Sequence, residues 1–273
     1  MRSIEMISMK SPREIEAMRK AGRLTAMARA YGGSLVQPGI TTRELDREIE
    51  KFIKSHGGYP SFYHLYGFKG AACISVNDEI IHGVPGNRKL KEGDIVSIDV
   101  GVCVGDYRLD KNGVAVGGYH GDCCGTFGCG QISEEAQRLI DVTEQSFWEG
   151  FRMAKAGNHV FDISGAVQKC AEAAGYSLVR EYTGHGIGRS VHEAPEVPNY
   201  IPARPMGGNP RLYKNMVICV EPMVNAGTAK IRDHRMPDGW TVPMTADGKL
   251  AAHYENTILI TDGEPEVLTR CGD

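Results

Sequence analysis

Two histidines stand seven residues apart in the segment YTGHGIGRSVHEAPEVPNY, residues 182–200: His185 lies inside Gly-His-Gly, and His192 precedes a glutamate. Imidazole serves as metal ligand, hydrogen-bond donor or proton carrier near neutral pH. Glycine on both sides lets the backbone approach a ligand closely and leaves the ring uncrowded. Taken alone, Gly-His-Gly suits a surface turn with two hydrogen-bonded histidines equally well, so other segments must decide. Each of these sets an acid or a histidine beside an apolar, strand-like run. Asp99 ends IVSID, Glu221 ends MVICVE, Glu255 precedes NTILIT, Asp122 follows VAVGGYHG, and His82 ends NDEIIH. A carboxylate at the end of a buried strand places charge at the edge of a low-dielectric interior, which is costly unless that charge is paired or metal-bound. Four carboxylates and a Gly-flanked His185 make a ligand set for two divalent cations, since carboxylates can bridge two metals while imidazole fills a terminal position.

The elements that must position these residues are legible in outline. Ser11-Pro12-Arg13-Glu14 opens a long helix with an N-cap, a proline in the first turn and a capping-box acid. Thr41 and Glu44 cap a second, whose Leu45, Ile49, Phe52 and Ile53 share one face. Ser133 starts a third, running to about Ala154, and strands are predicted near 71–76, 95–104, 113–119, 216–221 and 255–261. The proline- and glycine-rich stretch 198–210 reads as irregular loop at the rim of a cleft. The chain also repeats itself weakly. Residues 36–57 match 154–175 at an offset of 118, and KEGDIVSID matches YKNMVICVE at an offset of 122, pairing Asp99 with Glu221. His82-Gly83 and His185-Gly186 form a further candidate pair. The expectation is a single domain over 1–273 with two related halves, roughly 11–130 and 131–262.

Composition excludes several classes. With 273 residues, 41% hydrophobic content and a net charge of −3, the chain can bury one substantial core and offers no basic patch for neutralising phosphates. No run has the length of a membrane span, and MRSIEMISMK lacks the apolar centre of a signal peptide, so a cytoplasmic location is expected. Eight cysteines form no Cys-x-x-C pair and no zinc-finger spacing, which predicts reduced, mostly structural thiols.

The segment 182–200, together with NDEIIHGVP, DIVSIDVG, GYHGD, MVICVEPMV and AAHYENTILIT, resembles the motif set of the type I methionine aminopeptidases, in the same order and from about Ser11 to about Thr261. The resemblance implies an α+β pita-bread (creatinase/aminopeptidase) fold, with pseudo-two-fold halves around a central antiparallel sheet. It implies Asp99, Asp122, His185, Glu221 and Glu255 as ligands of two divalent metal ions, with manganese, iron, cobalt and zinc all suited to the set. Glu221 would also accept the proton of the attacking water, His82 and His192 would hold substrate without binding metal, and Phe68, Cys73 and Trp240 would line the methionine side-chain site. Cys73 fits a plain core position equally well. Val191, beside the second histidine, stands where many relatives carry a larger residue.

The activity so implied is removal of the N-terminal methionine from nascent proteins when the second residue is small. The expected partners are nascent N-termini, with any ribosome contact local, no direct nucleic-acid specificity, no membrane and a monomeric state. Two rival readings share the fold. A proline-specific peptidase would carry an extra N-terminal domain for which this chain has no room, and a non-catalytic binding module would have lost metal ligands that are all present here. In the resembled family the two aspartates of the site lie eleven apart on a hairpin, and eleven from Asp99 falls on Asp110. Asp110 sits in GDYRLDKNG, the composition of an exposed turn, whereas Asp122 follows a strand-like run. Asp122 is therefore expected as the ligand, with about twelve residues added near 104–116 that lengthen both arms of the hairpin.

Overall fold

The computed structural model describes residues 6–203 and 208–271. Helices α1 (Pro12–Ser34) and α2 (Thr42–Ser55) begin at Ser11 and Thr41, and both N-caps close a full capping box, with Glu14 and Glu44 respectively. They are followed by β1 (Tyr59–Pro60), β2 (Ala72–Val76), β3 (Ile95–Val104), β4 (Arg108–Leu109), β5 (Ala115–Val116) and β6 (Tyr119–Gly128). Then come α3 (Glu134–Met153), capped by Ser133, and α4 (Val160–Ala173). The rest of the chain supplies β7 (Ser177–Leu178), β8 (Gly184–Gly186), β9 (Glu193–Val197), β10 (Val217–Val220), β11 (Met223–Asn225), β12 (Ile231–Arg235), β13 (Thr241–Thr245), β14 (Ala251–His253), β15 (Glu255–Leu259) and β16 (Glu266–Val267). Among the described residues no helix is long and apolar enough to cross a membrane.

The principal sheet is antiparallel and runs β1-β3-β6-β15-β10-β8-β9, with β2 also on β3 and β16 also on β15. Helices cover it in pairs. Leu24, Leu45, Ile49 and Ile53 of α1 and α2 pack on Ile74, Val96, Ile98 and Val100, while Leu139, Phe147, Ile163 and Val167 of α3 and α4 pack on Ile218, Val220 and Ile258. Full burial of each such side chain contributes about 1.5–3 kcal/mol. The weak repeat has a structural counterpart. Helix α4 reproduces α2 at an offset of 118 (42 to 160, 55 to 173), and both helices lie between left-handed glycines, Gly39 and Gly57 in one case, Gly157 and Gly175 in the other. Strand β10 begins 122 residues after β3 (95 to 217). The two halves join edge to edge between β6 and β15, where two residue pairs, Glu255 with Cys124 and Asn256 with Cys123, make the ladder.

The hairpin near residue 110 departs from expectation. The arms are not lengthened, and the strand predicted at 113–119 is cut down to the short β5, with β6 starting only at Tyr119. Pairing of β3 with β6 stops at Val104 with Tyr119, and the intervening residues form a separate small hairpin, β4 against β5. Gly105 and Gly117, at φ of 89° and 90°, put a left-handed kink in each arm, which ends the ladder. Asp110 caps the turn: its Oδ1 accepts the amides of Asn112 and Val114 at 2.8 and 3.0 Å, and these bonds hold its carboxyl below the ordinary range.

Candidate metal centre

Strand register puts the predicted residues on one face. In a sheet, directly paired residues point to the same side and side chains alternate along each strand. Asp99 on β3 and Glu255 on β15 both pair with Cys124 of β6, and Asp122 lies two residues before Cys124 on that strand. Cys219 of β10 pairs with Thr257, two residues after Glu255, so Glu221 beyond the strand end comes level with Glu255. His185 lies on β8, whose Gly186 pairs with Ile218. The donor atoms of Asp99, Asp122 and Glu255 lie within 4.8 Å of one another, as do those of His185, Cys219 and Glu255 and those of Glu221, His253 and Glu255. Glu255 belongs to all three groups.

The electrostatics of this face call for cations. Asp122, Glu221 and Glu255 are buried, at 3%, 8% and 2% exposure. Among the described residues their ion-pair partners are histidines alone: His185 Nε2 lies 3.5 Å from Glu221 Oε1, and His253 Nε2 lies 3.9 Å from Glu221 Oε2 and 4.0 Å from Glu255 Oε2. Burial pushes the Asp99 carboxyl up to about 7. Burial, reinforced by the neighbouring carboxylates, holds Asp122, Glu221 and Glu255 well above their usual range. Of the eight buried side-chain nitrogen and oxygen atoms without a hydrogen-bond partner among the described residues, five are here: Asp99 Oδ1, Asp122 Oδ1, Glu255 Oε1 and both ring nitrogens of His253. Orphaned buried acceptors and crowded carboxylates of one sign fit a site for divalent cations, which supply the missing positive charge.

His185 is prepared as a donor. Its Nδ1 lies 2.9 Å from the Gly186 carbonyl, which fixes the proton there and leaves the Nε2 lone pair facing Glu221. Burial lowers its pKa to about 3, so the ring is neutral at pH 7. The flanking glycines have a reason other than ligand approach. A Cβ on Gly184 would lie 2.4 Å from the Cys219 carbonyl oxygen, and one on Gly186 would lie 2.2 Å from that of Ala194. Neighbouring strands, rather than a bound molecule, therefore require glycine there, and the ring itself is buried at 9% exposure rather than uncrowded. Cys219 holds its proton, because burial and the nearby Glu255 and Asp122 push its thiol well up.

The other two histidines border this face. His192 sits at the surface with its ring 4.4 Å from that of His185, and its Nδ1 lies 3.4 Å from the Tyr66 hydroxyl. His82 lies outside the sheet in a left-handed turn, at φ 59°, so the likeness of His82-Gly83 to His185-Gly186 does not extend to local backbone. Burial lowers its pKa to about 4. Its carbonyl accepts the Trp240 indole N–H at 3.1 Å, and its ring meets those of Trp240 and Tyr182 edge-on. Phe68, Cys73 and Val191 form a buried apolar cluster with Phe62, against which Trp240 packs, and the Phe68 and Trp240 rings lie 5.0 Å apart. Cys73 pairs directly with Asp99, so this cluster adjoins the carboxylates.

Residues 16–262 match metallopeptidase family M24. The chain is 51% identical to a methionine aminopeptidase of Clostridium perfringens over 97% of its own length and 99% of that protein's. The chain belongs to metallopeptidase family M24, with the methionine aminopeptidases. An Escherichia coli methionine aminopeptidase is 42% identical over 96% of this chain and 94% of that one. The crystal structure of methionine aminopeptidase from Thermotoga maritima superimposes with a TM-score of 0.86 at 36% identity, covering 97% of this chain and 100% of that one. A prolidase from Pyrococcus furiosus shares the fold, with a TM-score of 0.74 at 21% identity over 97% of this chain and 66% of its own.

Two residues of the site, His253 and Tyr66, lie outside the set that the sequence motifs single out. His253 stands two residues before Glu255, but the strand breaks at Tyr254 and the two lie on different sheets, so only the tertiary fold brings its ring to the carboxylates. Tyr66, 77% exposed in a left-handed conformation at φ 51°, carries no signal either, because its place over His192 depends on the turn that ends at Gly67.

Proposed function

We propose that this chain is a metal-dependent aminopeptidase that removes the N-terminal methionine of nascent polypeptides when the second residue is small. One observation carries the reading: four crowded carboxylates and a neutral His185 adjoin an apolar cluster of Phe62, Phe68, Cys73 and Val191 on which Trp240 packs, surroundings of the kind that a thioether favours. Asp99, Asp122, His185, Glu221 and Glu255 hold two divalent cations, drawn from manganese, iron, cobalt or zinc. When bound, such cations supply Lewis acidity and make water a competent nucleophile near neutral pH.

The protein's own groups do the rest. Phe68, Cys73 and Trp240 take the methionine side chain, which fixes the scissile bond at the carboxylate face. Glu221 accepts the proton of the attacking water as the carbon–oxygen bond forms, and returns it to the amine as the carbon–nitrogen bond breaks. In the Nε2–H tautomer of His192 the Tyr66 hydroxyl would donate to Nδ1, leaving the Nε2 proton to stabilise the developing charge on the carbonyl oxygen. His82, neutral and held through its backbone by Trp240, hydrogen-bonds the amide nitrogen. A second residue placed between these two histidines has room for a short side chain only. The chain works as a single cytoplasmic domain and a monomer, and any contact with the ribosome is local.

The test is turnover of a Met-Xaa-Ser series with and without chelator, run beside Xaa-Pro peptides. Chelator-sensitive release of methionine with Xaa as Ala, Gly or Ser is expected. Equal rates for Ala and Lys would refute the size rule, and release from Xaa-Pro alone would refute the substrate class.

A further inference from the structure

His253 is a member of the carboxylate face that the mechanism leaves unused. The residue is buried at 2% exposure, and neither ring nitrogen has a hydrogen-bond partner among the described residues. An imidazole always presents at least one N–H or lone pair that water would satisfy, so burying it without a partner incurs the full desolvation cost of that group. The backbone offers it no escape. The His253 amide donates to Thr126 Oγ1 at 3.0 Å, and the same hydroxyl donates to the His253 carbonyl at 2.9 Å, which pins β14 against β6. The ring is thus held where it stands, facing two carboxylates.

The distances say what belongs between them. Nε2 lies 3.9 Å from Glu221 Oε2 and 4.0 Å from Glu255 Oε2, too far for a hydrogen bond. Two donor atoms that each sit about 2.0–2.2 Å from one cation are at most about 4.4 Å apart, so both distances allow a shared ion. We propose that His253 is a metal ligand, adding a second imidazole to the centre on the cation that Glu221 and Glu255 share. The proposal rests on the reading above that these carboxylates hold divalent cations. Its consequence is chemical: replacing oxygen by nitrogen at that position favours zinc or iron over manganese.

Proton NMR of the cobalt(II)-loaded full chain tests it, because the ring N–H of a histidine bound to cobalt gives a strongly shifted, solvent-exchangeable line. Two such lines are expected in the unmodified protein, one lost in His253→Gln and the other in His185→Ala. Zinc X-ray absorption of the unmodified protein, which depends on no variant folding, should show outer-shell scattering from two imidazoles per chain. His253→Gln should weaken zinc binding roughly tenfold or more and leave manganese binding within about twofold. Normal cobalt uptake with a single exchangeable line, unchanged in His253→Gln, would overturn the proposal alone. Absence of any cobalt uptake would overturn the carboxylate centre and the proposal with it.

Discussion

Asp99 and Glu255 are register partners of the same residue, Cys124, one from each side of β6. The spacing of the two carboxylates is therefore set by backbone hydrogen bonds rather than by flexible loops. Asp122, two residues along the strand between them, completes the triangle, whereas Asp110 is spent on its own turn. Asp122→Ala should abolish metal uptake and activity, while Asp110→Ala should keep both within about twofold, since surface changes of this kind cost little. Metal content and turnover measured on the two purified variants check this, and the reverse pattern would refute the register.

The three histidines should separate by what they lose. His185→Ala removes a donor already oriented by the Gly186 carbonyl, and it should lower metal content and activity together. His82→Ala and His192→Ala should keep their metal and lose roughly 100-fold or more in turnover, the usual cost of a missing transition-state donor. Full metal occupancy in the His185 variant would contradict the assignment.

Trp240 has two separable jobs. Its ring closes the apolar cluster against Phe68, and its indole N–H holds the His82 carbonyl. Trp240→Phe keeps an aromatic surface and deletes the hydrogen bond, so it should lower kcat with little change in KM. Trp240→Ala should in addition raise KM for Met-Ala-Ser by about 10-fold, the worth of roughly 1.4 kcal/mol of aromatic contact. Identical kinetics in the two variants would show that the aromatic contact does nothing, and an unchanged kcat in Trp240→Phe would show the same of the hydrogen bond.

Asp46 gives a pH dependence away from the metal centre. Its Oδ1 accepts the amides of Ala71 and Ala72, but burial outweighs them and raises the carboxyl to about 6. The native state then holds its proton more tightly than the unfolded chain, whose carboxyl titrates near pH 4. Stability from this group falls as pH rises from about 4 to about 6, and stays low above that. Asp46→Asn cannot titrate, so its stability relative to the unmodified protein should improve by about 2 kcal/mol between pH 4 and pH 8. Urea unfolding at both pH values decides, and a difference of opposite slope would refute the burial argument.

The sequence was most informative where local rules and register coincide. Ser11, Thr41 and Ser133 cap their helices because the caps are local hydrogen bonds, and the strand that carries Asp99 and the one that leads to Glu221 lie where their apolar content put them. What escaped was tertiary. The glycines beside His185 answer to carbonyls of Cys219 and Ala194, which are distant or unpaired in the sequence pattern. Residues 105–118 turn away from the ladder because two glycines adopt left-handed φ, which composition alone does not reveal. His253 escapes because β14 and β15 belong to different sheets, and the fold alone turns its ring to the carboxylates.

The narrow join between β6 and β15 gives the carboxylate face a second importance. One side contributes Asp99 and Asp122, the other His185, Glu221 and Glu255, and two residue pairs join β6 to β15 between them. Arg29 reaches across to the Glu255 carbonyl and Asn256, and Arg19 to Glu266, but neither offsets the repulsion of carboxylates facing each other over the join. A bound cation acts there as a rivet. Stripped of it, β6 and β15 should part more readily, and amide exchange along them should quicken well before the flanking helices loosen.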